Sequence, residues 1–500
     1  MGSGAGTKVF YPVVTAKEMQ RIERQAILGG CSEEAFMAEA GRKVAARVLE
    51  WLEEKELPKR VAMLVGKGNN GGDAYAAGIS LLQKGVHVRA VTLFPPSECS
   101  KLNQKFRKAF VKRQGTIDNL PFADDSLILD GLLGTGFQGK VDAQMAALMA
   151  LANGSGKPIF AIDIPSGLDG SSGEVRGSAI VAYETIALGC LKIGFFLRDG
   201  WNHVGRIRLE DFGLPEKYLA GVKSVACVPN QKSLVMPPIV RNRHKYEAGY
   251  VVGFSGSSIF RGAPKLAGLA ALRAGAGIVR VFHLEEIGDI PPSLICQTWD
   301  PTSWAQELKR ASALFIGPGI GKTAKSLKFL EKIRTPMVVD ADAIQKGLAY
   351  PPQAILTPHR GEILRLLGIV KEEDLLARCQ KWVNHTRCIL VLKGAPTWIF
   401  SKDKLPVIIP HGDPGMAKAG TGDVLTGIIA ALLAQKMGPL EAAILGVFLH
   451  ALAGEFAALQ KSSYCMIASD IIDFLPHAVM EHRHGMVRFE PFGELQNPLL

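Results

Sequence analysis

Short apolar runs alternate with loops and helical stretches in the first part of the chain. Residues 60–65 (RVAMLV) form an apolar run that a glycine-rich turn follows, and residues 75–83 then have helical character. Residues 86–93 alternate apolar and polar side chains as a strand does, and two further apolar runs, 127–129 and 159–162, each precede an aspartate. Strand, loop and helix repeated in this order predict a parallel sheet covered by helices on both faces.

A second series of strands and helices begins near Tyr250, with the segment YVVGFSGS. Further strand-like runs fall at residues 277–282, 313–316, 337–339, 354–356 and 388–392. Between the two series, residues 211–243 combine prolines and basic residues without periodicity, which indicates a linker. We therefore predict an α/β fold in two domains, residues 9–230 and residues 231–490.

The composition argues against several classes of protein. Of 500 residues, 47% are apolar and 21% charged, which supplies packed cores and argues against disorder. No uncharged apolar run reaches the ~18 residues of a membrane span. The longest candidate, residues 442–454 between Glu441 and Glu455, predicts a buried helix. The first residues, MGSGAGTK, lack a charged region followed by an apolar one, so we expect neither a secretory signal nor a membrane partner.

The cysteine spacing indicates the cellular compartment, and the net charge limits the classes of binding partner. The eight cysteines are scattered, and no pair has CxxC spacing. In so long a chain this predicts a reduced, cytoplasmic setting and no structural zinc site. The net charge is +11, but no nucleic-acid recognition motif accompanies it. A polyanionic small-molecule ligand would account for the excess of basic residues as well as RNA would. We therefore expect no nucleic-acid partner.

Three loops that follow predicted strands carry oxygen-bearing side chains. In the first, residues 65–78 (VGKGNNGGDAYAAG), the glycines permit close backbone approach to a ligand, and the next helix can direct its free amides at an anion. The second, residues 130–140 (DGLLGTGFQGK), contains a GxGxxG spacing that a plain turn between strand and helix also produces. The third, residues 162–170 (IDIPSGLDG), places Asp163 and Ser166 at a strand end and in the turn after it.

Loops at the carboxyl ends of successive parallel strands can converge on one site. There, Asn70, Asp130 and Ser166 can bind a hard, weakly charged cation through oxygen. One carboxylate with neutral oxygens suits K⁺ better than Zn²⁺. Asp163 then remains as a hydrogen-bond acceptor, or as an acid or base.

The strings NNGGD, DGLLGTGFQG and DIPSGLDG, in this order and spacing, resemble the NAD(P)H-hydrate epimerase domain of the YjeF N-terminal type. The resemblance implies a Rossmann-like, doubly wound fold that interconverts the R and S forms of NADH or NADPH hydrated at C6 of the nicotinamide ring. It makes Asp163 catalytic and assigns K⁺ to Asn70, Asp130 and Ser166. The substrate contacts that it implies are Asn69, Asn70, Gly71, Gly72, Asp73, Gly134, Thr135, Gly136, Phe137, Gln138, Gly139, Lys140 and Asp163. Ala74 stands where the family often has glycine, and a methyl group there would narrow the pocket slightly.

The most informative segment of the second half is residues 413–435 (DPGMAKAGTGDVLTGIIAALLAQ). Gly420, Thr421 and Gly422 precede an apolar helix, whose amides and dipole favour an anion. Asp423, in the first turn, can take a proton from a hydroxyl that is being phosphorylated, or it can be a helix-start residue only. His359 lies in the segment TPHRGE, which directly follows a predicted strand, and this position favours a ligand role over a structural one.

GPGIG, VVDADAI, LTPHRGE, LKGAPTWIF and the GTGD helix resemble the ADP/ATP-dependent NAD(P)H-hydrate dehydratase domain. The resemblance implies a ribokinase-like fold in which ADP, or ATP in eukaryotic forms, phosphorylates the C6 hydroxyl of the S hydrate, with Mg²⁺ accompanying the nucleotide. Elimination of phosphate then regenerates NAD(P)H, and ADP leaves as AMP. The nucleotide contacts implied are Lys393, Gly394, Ala395, Pro396, Thr397 and Gly422. The hydrate contacts implied are Gly319, His359 and Asp423, with Asp423 as the base.

These resemblances predict a bifunctional enzyme that repairs NAD(P)H hydrates, and relatives suggest a homo-oligomer. Asp413, Lys418 and Ala419 depart from the residues usual in the family, and Lys418 can either add charge near the phosphates or face solvent. One alternative stays open on the sequence: a ribokinase-like small-molecule kinase with a non-catalytic, nucleotide-sensing N-terminal module. The NNGGD string discriminates against it, because such kinases have no need of that string.

Overall fold

The computed structural model describes residues 9–118, 122–137, 139–321, 327–368 and 374–484. The chain divides into two structural units: one comprises Tyr11–Ala226, and the other comprises residues 9–10 with the described residues from Cys227 onward. The sequence-based limits, residues 9–230 and 231–490, stay a proposal for the two functional domains, and residues 485–490 lie outside the described residues.

The N-terminal unit is an α/β layer structure. Its strands are β1 (Phe10–Val14), β2 (Arg60–Val65), β3 (His87–Thr92), β4 (Thr116–Ile117), β5 (Leu127–Gly131), β6 (Ile159–Ile162), β7 (Glu184–Leu188), β8 (Leu191–Lys192) and β9 (Arg206–Glu210). Its helices are α1 (Ala16–Leu28), α2 (Glu33–Glu54), α3 (Asn69–Gln83), α4 (Lys101–Lys112), α5 (Ala143–Asn153), α6 (Gly200–His203) and α7 (Glu216–Ala220).

Seven of these strands form a sheet in the order β4-β3-β2-β5-β6-β7-β9, and every neighbouring pair is parallel. Strands β1 and β8 lie outside this sheet and are parallel to each other. Successive side chains of a strand point to opposite faces. Val61, Met63 and Val65 of β2 therefore enter the core with α1, α2 and α3, whereas Ala62 and Leu64 enter the core with α5. A sheet buried on both faces explains why β2 is a continuous apolar run.

The C-terminal unit is a second α/β layer structure. Its strands are β10 (Ala226–Pro229), β11 (Tyr250–Phe254), β12 (Ile278–His283), β13 (Ile295–Thr298), β14 (Ala313–Ile316), β15 (Met337–Val339), β16 (Ile355–Leu356), β17 (Ile389–Leu392), β18 (Thr397–Phe400) and β19 (Val407–Ile409). Its helices are α8 (Ala263–Arg273), α9 (Pro301–Arg310), α10 (Arg360–Leu367), α11 (Leu375–Thr386), α12 (Thr421–Ala434), α13 (Pro439–Cys465) and α14 (Ala468–His484).

Its strands follow the order β13-β12-β11-β14-β15-β16-β17-β18-β19-β10. The pairs from β13 to β17 are parallel, and the β17-β18 and β18-β19 pairs are antiparallel. Helices α8, α12, α13 and α14 contribute to one large apolar core against this sheet. On the other face, Phe254 and Phe282 contact Trp304 of α9 edge-on or tilted. The predicted α/β class with parallel sheets is confirmed.

Helix α13 has the length and composition of a membrane span. Its most apolar 18-residue window has a mean hydropathy of 1.8, but 83% of that window is buried inside the protein. A helix that is apolar on all sides also fits the centre of a large core. Residues Ala442 to Glu455 are buried, which agrees with the core helix that the sequence predicts there.

Candidate functional site

A cavity of about 510 Å³ opens in the N-terminal unit, where the loops after β2, β5 and β6 meet helices α1 to α3. Ligands in parallel α/β sheets bind at this carboxyl edge. The predicted site residues that line the cavity are Asn69, Asn70, Asp73, Gly134, Thr135, Gly136, Phe137 and Asp163. Gly71, Gly72, Gly139 and Lys140 are not among its lining residues, and Gln138 lies outside the described residues.

The glycine-rich loop after β2 is held from behind by Asn103 of α4. The Asn103 Nδ2 atom donates to the carbonyls of Gly66 (2.9 Å) and Gly68 (3.0 Å). A Cβ atom at Gly71 would lie 2.1 Å from the Gly66 oxygen, so only glycine fits at position 71. Sequence reasoning missed Asn103, because it comes 35 residues after Gly68 in a basic stretch that is typical of a solvated helix face.

Asn70, Asp130 and Ser166, predicted as cation ligands, meet around Leu133. Ser166 donates to Asp130 Oδ1 through its hydroxyl (2.6 Å) and to Oδ2 through its amide (2.8 Å). Asn70 donates to the carbonyl of Leu133 (2.9 Å), whose amide donates to Ser166 Oγ (2.8 Å). Complete burial raises the pKa of Asp130 to about 6, although the hydrogen bonds from Ser166 and Leu132 favour its charged form.

Asp163 stands at the end of β6 with a positive φ of 64°, which few residues other than glycine adopt. Its Oδ1 atom accepts from the Leu188 amide (3.1 Å) and from the ammonium group of Lys192. Lys192 is fully buried and also donates to the Leu188 carbonyl (2.9 Å). Sequence reasoning missed Lys192; the available signal was a lone lysine inside the apolar run CLKIGFF.

Ala74 does not narrow the cavity. Its side chain is fully buried in the core, and a Cβ atom built on Gly131 of β5 would lie 2.7 Å from the Ala74 Cβ atom. The methyl group therefore packs between α3 and the sheet, and the expected narrowing is wrong.

In the C-terminal unit, helix α12 begins just after Gly420, whose φ of 94° favours glycine. His450 of α13 lies behind this start, and its Nε2 atom is 2.9 Å from the Thr421 carbonyl. Burial lowers the pKa of His450 to about 4, so the ring is neutral near pH 7 and can donate to that carbonyl. The Thr421 amide donates to the Lys418 carbonyl (3.5 Å), whereas the next amides of the first helical turn have no intrahelical partner and are available to an anion.

Lys393, at the end of β17, lies among acidic groups beside the start of α12. Its ammonium group donates to Asp340 Oδ1 (2.7 Å) and lies 4.0 Å from Glu362 Oε2. Asp340 also accepts from the Thr426 hydroxyl (3.0 Å). A Cβ atom at Gly422 would lie 3.1 Å from Lys393 Nζ, so the structure brings these two predicted nucleotide contacts together. Burial opposes the charge, but Asp340 and Glu362 raise the pKa of Lys393 above its usual value.

Asp423 lies in the first turn of α12, next to Gly422. Burial raises its pKa to about 7, repulsion from Asp340 adds to the rise, and Lys393 opposes it. A carboxyl group with this pKa can accept a proton near neutral pH.

His359 caps a helix as well as facing solvent. Its Nδ1 atom accepts from the Gly361 amide (3.0 Å), and Glu362 accepts from the His359 amide (2.8 Å), which completes a capping box at α10. The ring is 55% exposed and stays accessible to a ligand.

Gly319, the third predicted hydrate contact, has a φ of 65°. A Cβ atom at this position would lie 2.8 Å from the Phe260 Cβ atom, so only glycine fits there.

The remaining predicted nucleotide contacts lie in the turn between β17 and β18. Thr397 donates through its hydroxyl to the Gly394 carbonyl (3.1 Å), which closes the Gly394-Ala395-Pro396-Thr397 turn beside Lys393. His359 and Lys393 form an isolated parallel bridge, so this turn and the α10 cap are neighbours.

Asp413 and Lys418, which differ from the residues usual in the family, both form hydrogen bonds within the C-terminal unit. Asp413 accepts from the Gly415 amide (2.7 Å) and from the Ser463 hydroxyl (3.0 Å). The Lys418 ammonium group donates to the carbonyls of Tyr464 (2.7 Å) and Met466 (2.5 Å). Lys418 therefore anchors its loop to the end of α13.

Two family models match the chain: "YjeF-related protein N-terminus" matches residues 33–194, and "NAD(P)H-hydrate dehydratase" matches residues 251–477. A bifunctional NAD(P)H-hydrate repair enzyme Nnr from Moorella thermoacetica is 32% identical over 93% of this chain and 96% of its own length. This chain belongs to the family of bifunctional NAD(P)H-hydrate repair enzymes. The repair enzyme of the same name from Escherichia coli is 35% identical over 83% of this chain and 84% of its own length.

Solved structures include a relative of the C-terminal unit of this repair enzyme. An ADP/ATP-dependent NAD(P)H-hydrate dehydratase from Bacillus subtilis, co-crystallised with ATP/Mg²⁺, is 28% identical and covers 50% of this chain and 96% of its own, with a TM-score of 0.45. The family assignment rests on the sequence matches, which extend over both units. They support the repair enzyme and not the alternative of a kinase with a non-catalytic module.

Proposed function

We propose that this chain repairs hydrated NADH and NADPH with two active sites. The N-terminal unit interconverts the R and S hydrates, and the C-terminal unit uses ADP or ATP to dehydrate the S hydrate to NAD(P)H, with AMP and phosphate as products from ADP. The observation that carries this proposal is the match to one bifunctional relative over 96% of its length. The two activities are complementary, because the dehydratase accepts only the S hydrate. The epimerase converts the R hydrate to the S hydrate, so that both forms are repaired.

In the C-terminal unit, Lys393, the Gly394–Thr397 turn and the amide of Gly422 bind the nucleotide phosphates, while Gly319, His359 and Asp423 contact the hydrate. Asp423 takes the proton of the C6 hydroxyl as its oxygen attacks phosphorus. The ring nitrogen then expels phosphate from C6, and loss of a C5 proton restores the double bond of NAD(P)H. Incubation of the purified protein with S hydrate and ADP should restore the near-ultraviolet absorbance of reduced nicotinamide, and omission of ADP should prevent this.

Dehydration should lose rate as the pH falls below about 7. Asp423 accepts a proton only as a carboxylate, and its pKa is about 7. Below this pH the reactive fraction, and with it kcat, should fall about tenfold per pH unit. The kcat for S hydrate, measured across pH with saturating ADP, checks this. A rate that stays constant down to about pH 5 would indicate a base with the ordinary pKa of an aspartate.

The oxygen cluster of the N-terminal unit fits K⁺. Asp130 is fully buried, and no cationic side chain pairs with it among the residues that the structure describes. A buried carboxylate without a counter-charge is costly, and a monovalent cation held by Asn70, Asp130 and Ser166 would neutralise it. The cation would supply a fixed positive charge at the edge of the cavity.

Replacing Asp130 with asparagine should abolish a K⁺ effect on stability. In the wild type, K⁺ should raise the thermal unfolding midpoint of the N-terminal unit relative to choline at equal ionic strength, because K⁺ binds only the folded site. Asp130→Asn removes the charge and should remove the shift. An equal shift in both proteins would place the K⁺ site elsewhere.

Mg²⁺, a cytoplasmic location and a homo-oligomer complete the proposal. Mg²⁺ is commonly held by substrate phosphates with one or two carboxylates. The described residues contain no group of three acidic, histidine or cysteine side chains suited to a metal, which favours a metal that arrives with the nucleotide. None of the eight cysteines, all of which the structure describes, forms a disulfide, and this suits a reducing compartment. Sedimentation of the purified protein tests the oligomer.

A further inference from the structure

Glu23 lines the N-terminal cavity although it lies outside all three motif loops. It belongs to α1, and this helix packs along two edges of the cavity. Gln20 donates to the Thr135 carbonyl (2.9 Å), and Met19 packs so closely against Gly189 that a Cβ atom there would lie 2.7 Å from the Met19 Cε atom. Residues three and four apart share a helix face, and Gln20, Glu23 and Ile27 of α1 accordingly line this cavity together.

Glu23 of α1 and Asp163 at the end of β6 both line this cavity, but they differ in their hydrogen-bond and ion-pair partners. Asp163 is held by the Leu188 amide and by Lys192. Glu23 makes no hydrogen bond and no ion pair with any residue in the described ranges. One carboxyl group is therefore fixed in place by a cation, and the other is free to exchange a proton with a ligand.

The charges around Glu23 favour its protonated form. Burial is the main cause that raises the pKa of Glu23 to about 7; Asp163 and Glu33 contribute to this rise, and Lys192 opposes it. Asp73 lines the same cavity, and burial together with the repulsion of Asp163 and Glu23 raises its pKa as well. Pairs of carboxyl groups whose environments differ in this way divide acid and base roles in enzymes.

We propose that Glu23 is the general acid of the epimerisation, that Asp163 is its general base, and that Lys192 is the positioning residue that orients Asp163. This inference rests on the epimerase function proposed above. It assigns a catalytic role to a side chain of α1, outside the three glycine-rich motif loops.

The proposed step balances as follows. Glu23 gives its proton to the C6 hydroxyl, the bond between C6 and oxygen breaks, and the oxygen leaves as water. The ring nitrogen supplies the electron pair and forms an iminium with C6. A water molecule then adds to the other face of C6 and gives its proton to Asp163. One proton has moved from Glu23 to Asp163, and exchange with solvent, or the opposite epimerisation, restores both groups for the next turnover.

Glu23→Gln should slow equilibration of the R and S hydrates at least about 100-fold, the usual contribution of a general acid. Dehydration of S hydrate by the same protein should be unchanged, and the thermal unfolding midpoint of the N-terminal unit should stay at its wild-type value, which shows that this unit is folded. The matched control is Glu34→Gln, which removes a carboxylate that pairs with Lys105 on the surface of the same unit (2.6 Å) and does not line the cavity. A Glu23→Gln rate within about threefold of the Glu34→Gln rate would overturn the proposal.

The pH profile separates a chemical role from a structural one. Glu23 must be protonated to act, so the wild-type epimerisation should fall as the pH rises above about 7, and Glu23→Gln should lose this limb. Lys192→Met should lower kcat for epimerisation more than it changes KM, because Asp163 loses its orientation. An unchanged alkaline limb in Glu23→Gln would contradict the assignment. A wild-type protein that epimerises neither hydrate would instead overturn the epimerase function itself.

Discussion

Asp423→Asn should slow ADP-dependent dehydration of the S hydrate at least about 100-fold, the usual contribution of a general base. Asparagine keeps the shape of the side chain and cannot accept the proton of the C6 hydroxyl. Helix α12 should remain intact, because its start is fixed by Gly420 and by the His450 bond to the Thr421 carbonyl. The measurement is the single-turnover rate of NADPH formation with saturating ADP.

Two comparisons make this test specific. Asp403→Asn removes a carboxylate from an exposed turn of the same unit and should leave the rate unchanged. Nucleotide affinity of Asp423→Asn should rise or stay constant, because the variant removes a negative charge near Lys393. A near-normal dehydration rate would leave Asp423 as a helix-start residue and would require another base.

Asp163→Ala should abolish equilibration of the R and S hydrates and leave dehydration of S hydrate intact. Asp163 is the carboxylate that the proposed mechanism uses as its base, and the dehydratase residues all lie in the other unit. The rate is measured by following the disappearance of pure R hydrate in the absence of ADP. Equilibration at the wild-type rate would show that Asp163 takes no part in the epimerase reaction.

The ion pair requires a control for stability. Asp163→Ala leaves the buried ammonium group of Lys192 without its carboxylate, and loss of one partner of a buried pair costs about 3–5 kcal/mol. The double variant Asp163→Ala/Lys192→Met removes both charges and should recover most of the lost thermal stability. Epimerisation should remain absent in the double variant, which separates lost chemistry from lost folding.

Local sequence patterns predicted the parts of both sites that lie on single loops. Asn70, Asp130 and Ser166 follow three strand ends, and parallel strands bring those ends together, so their convergence followed from the α/β pattern. The GTGD segment likewise predicted a helix start with a carboxylate in its first turn. Helix α13 was predicted as a buried helix because Glu441 and Glu455 bound its apolar run.

The side chains that support those loops could not be predicted. Lys192 pairs with Asp163 across 29 residues, and Asp340 pairs with Lys393 across 53 residues. A single sequence carries no signal for such long-range pairs, because each partner alone has an ordinary composition around it. For His359 the strand before it favoured a ligand role, but the helix that begins after it also uses the ring as a cap.

The most direct test of the account uses an equilibrated mixture of R and S NADPH hydrate with ADP. The wild-type protein should convert the entire mixture to NADPH. Asp163→Ala should stop after the S fraction, Asp423→Asn should form almost no NADPH, and an equimolar mixture of the two variants should restore complete conversion through the free hydrate. A wild-type reaction that stops at the S fraction, or that consumes nucleotide without forming NADPH, would contradict the claim that one chain carries both activities.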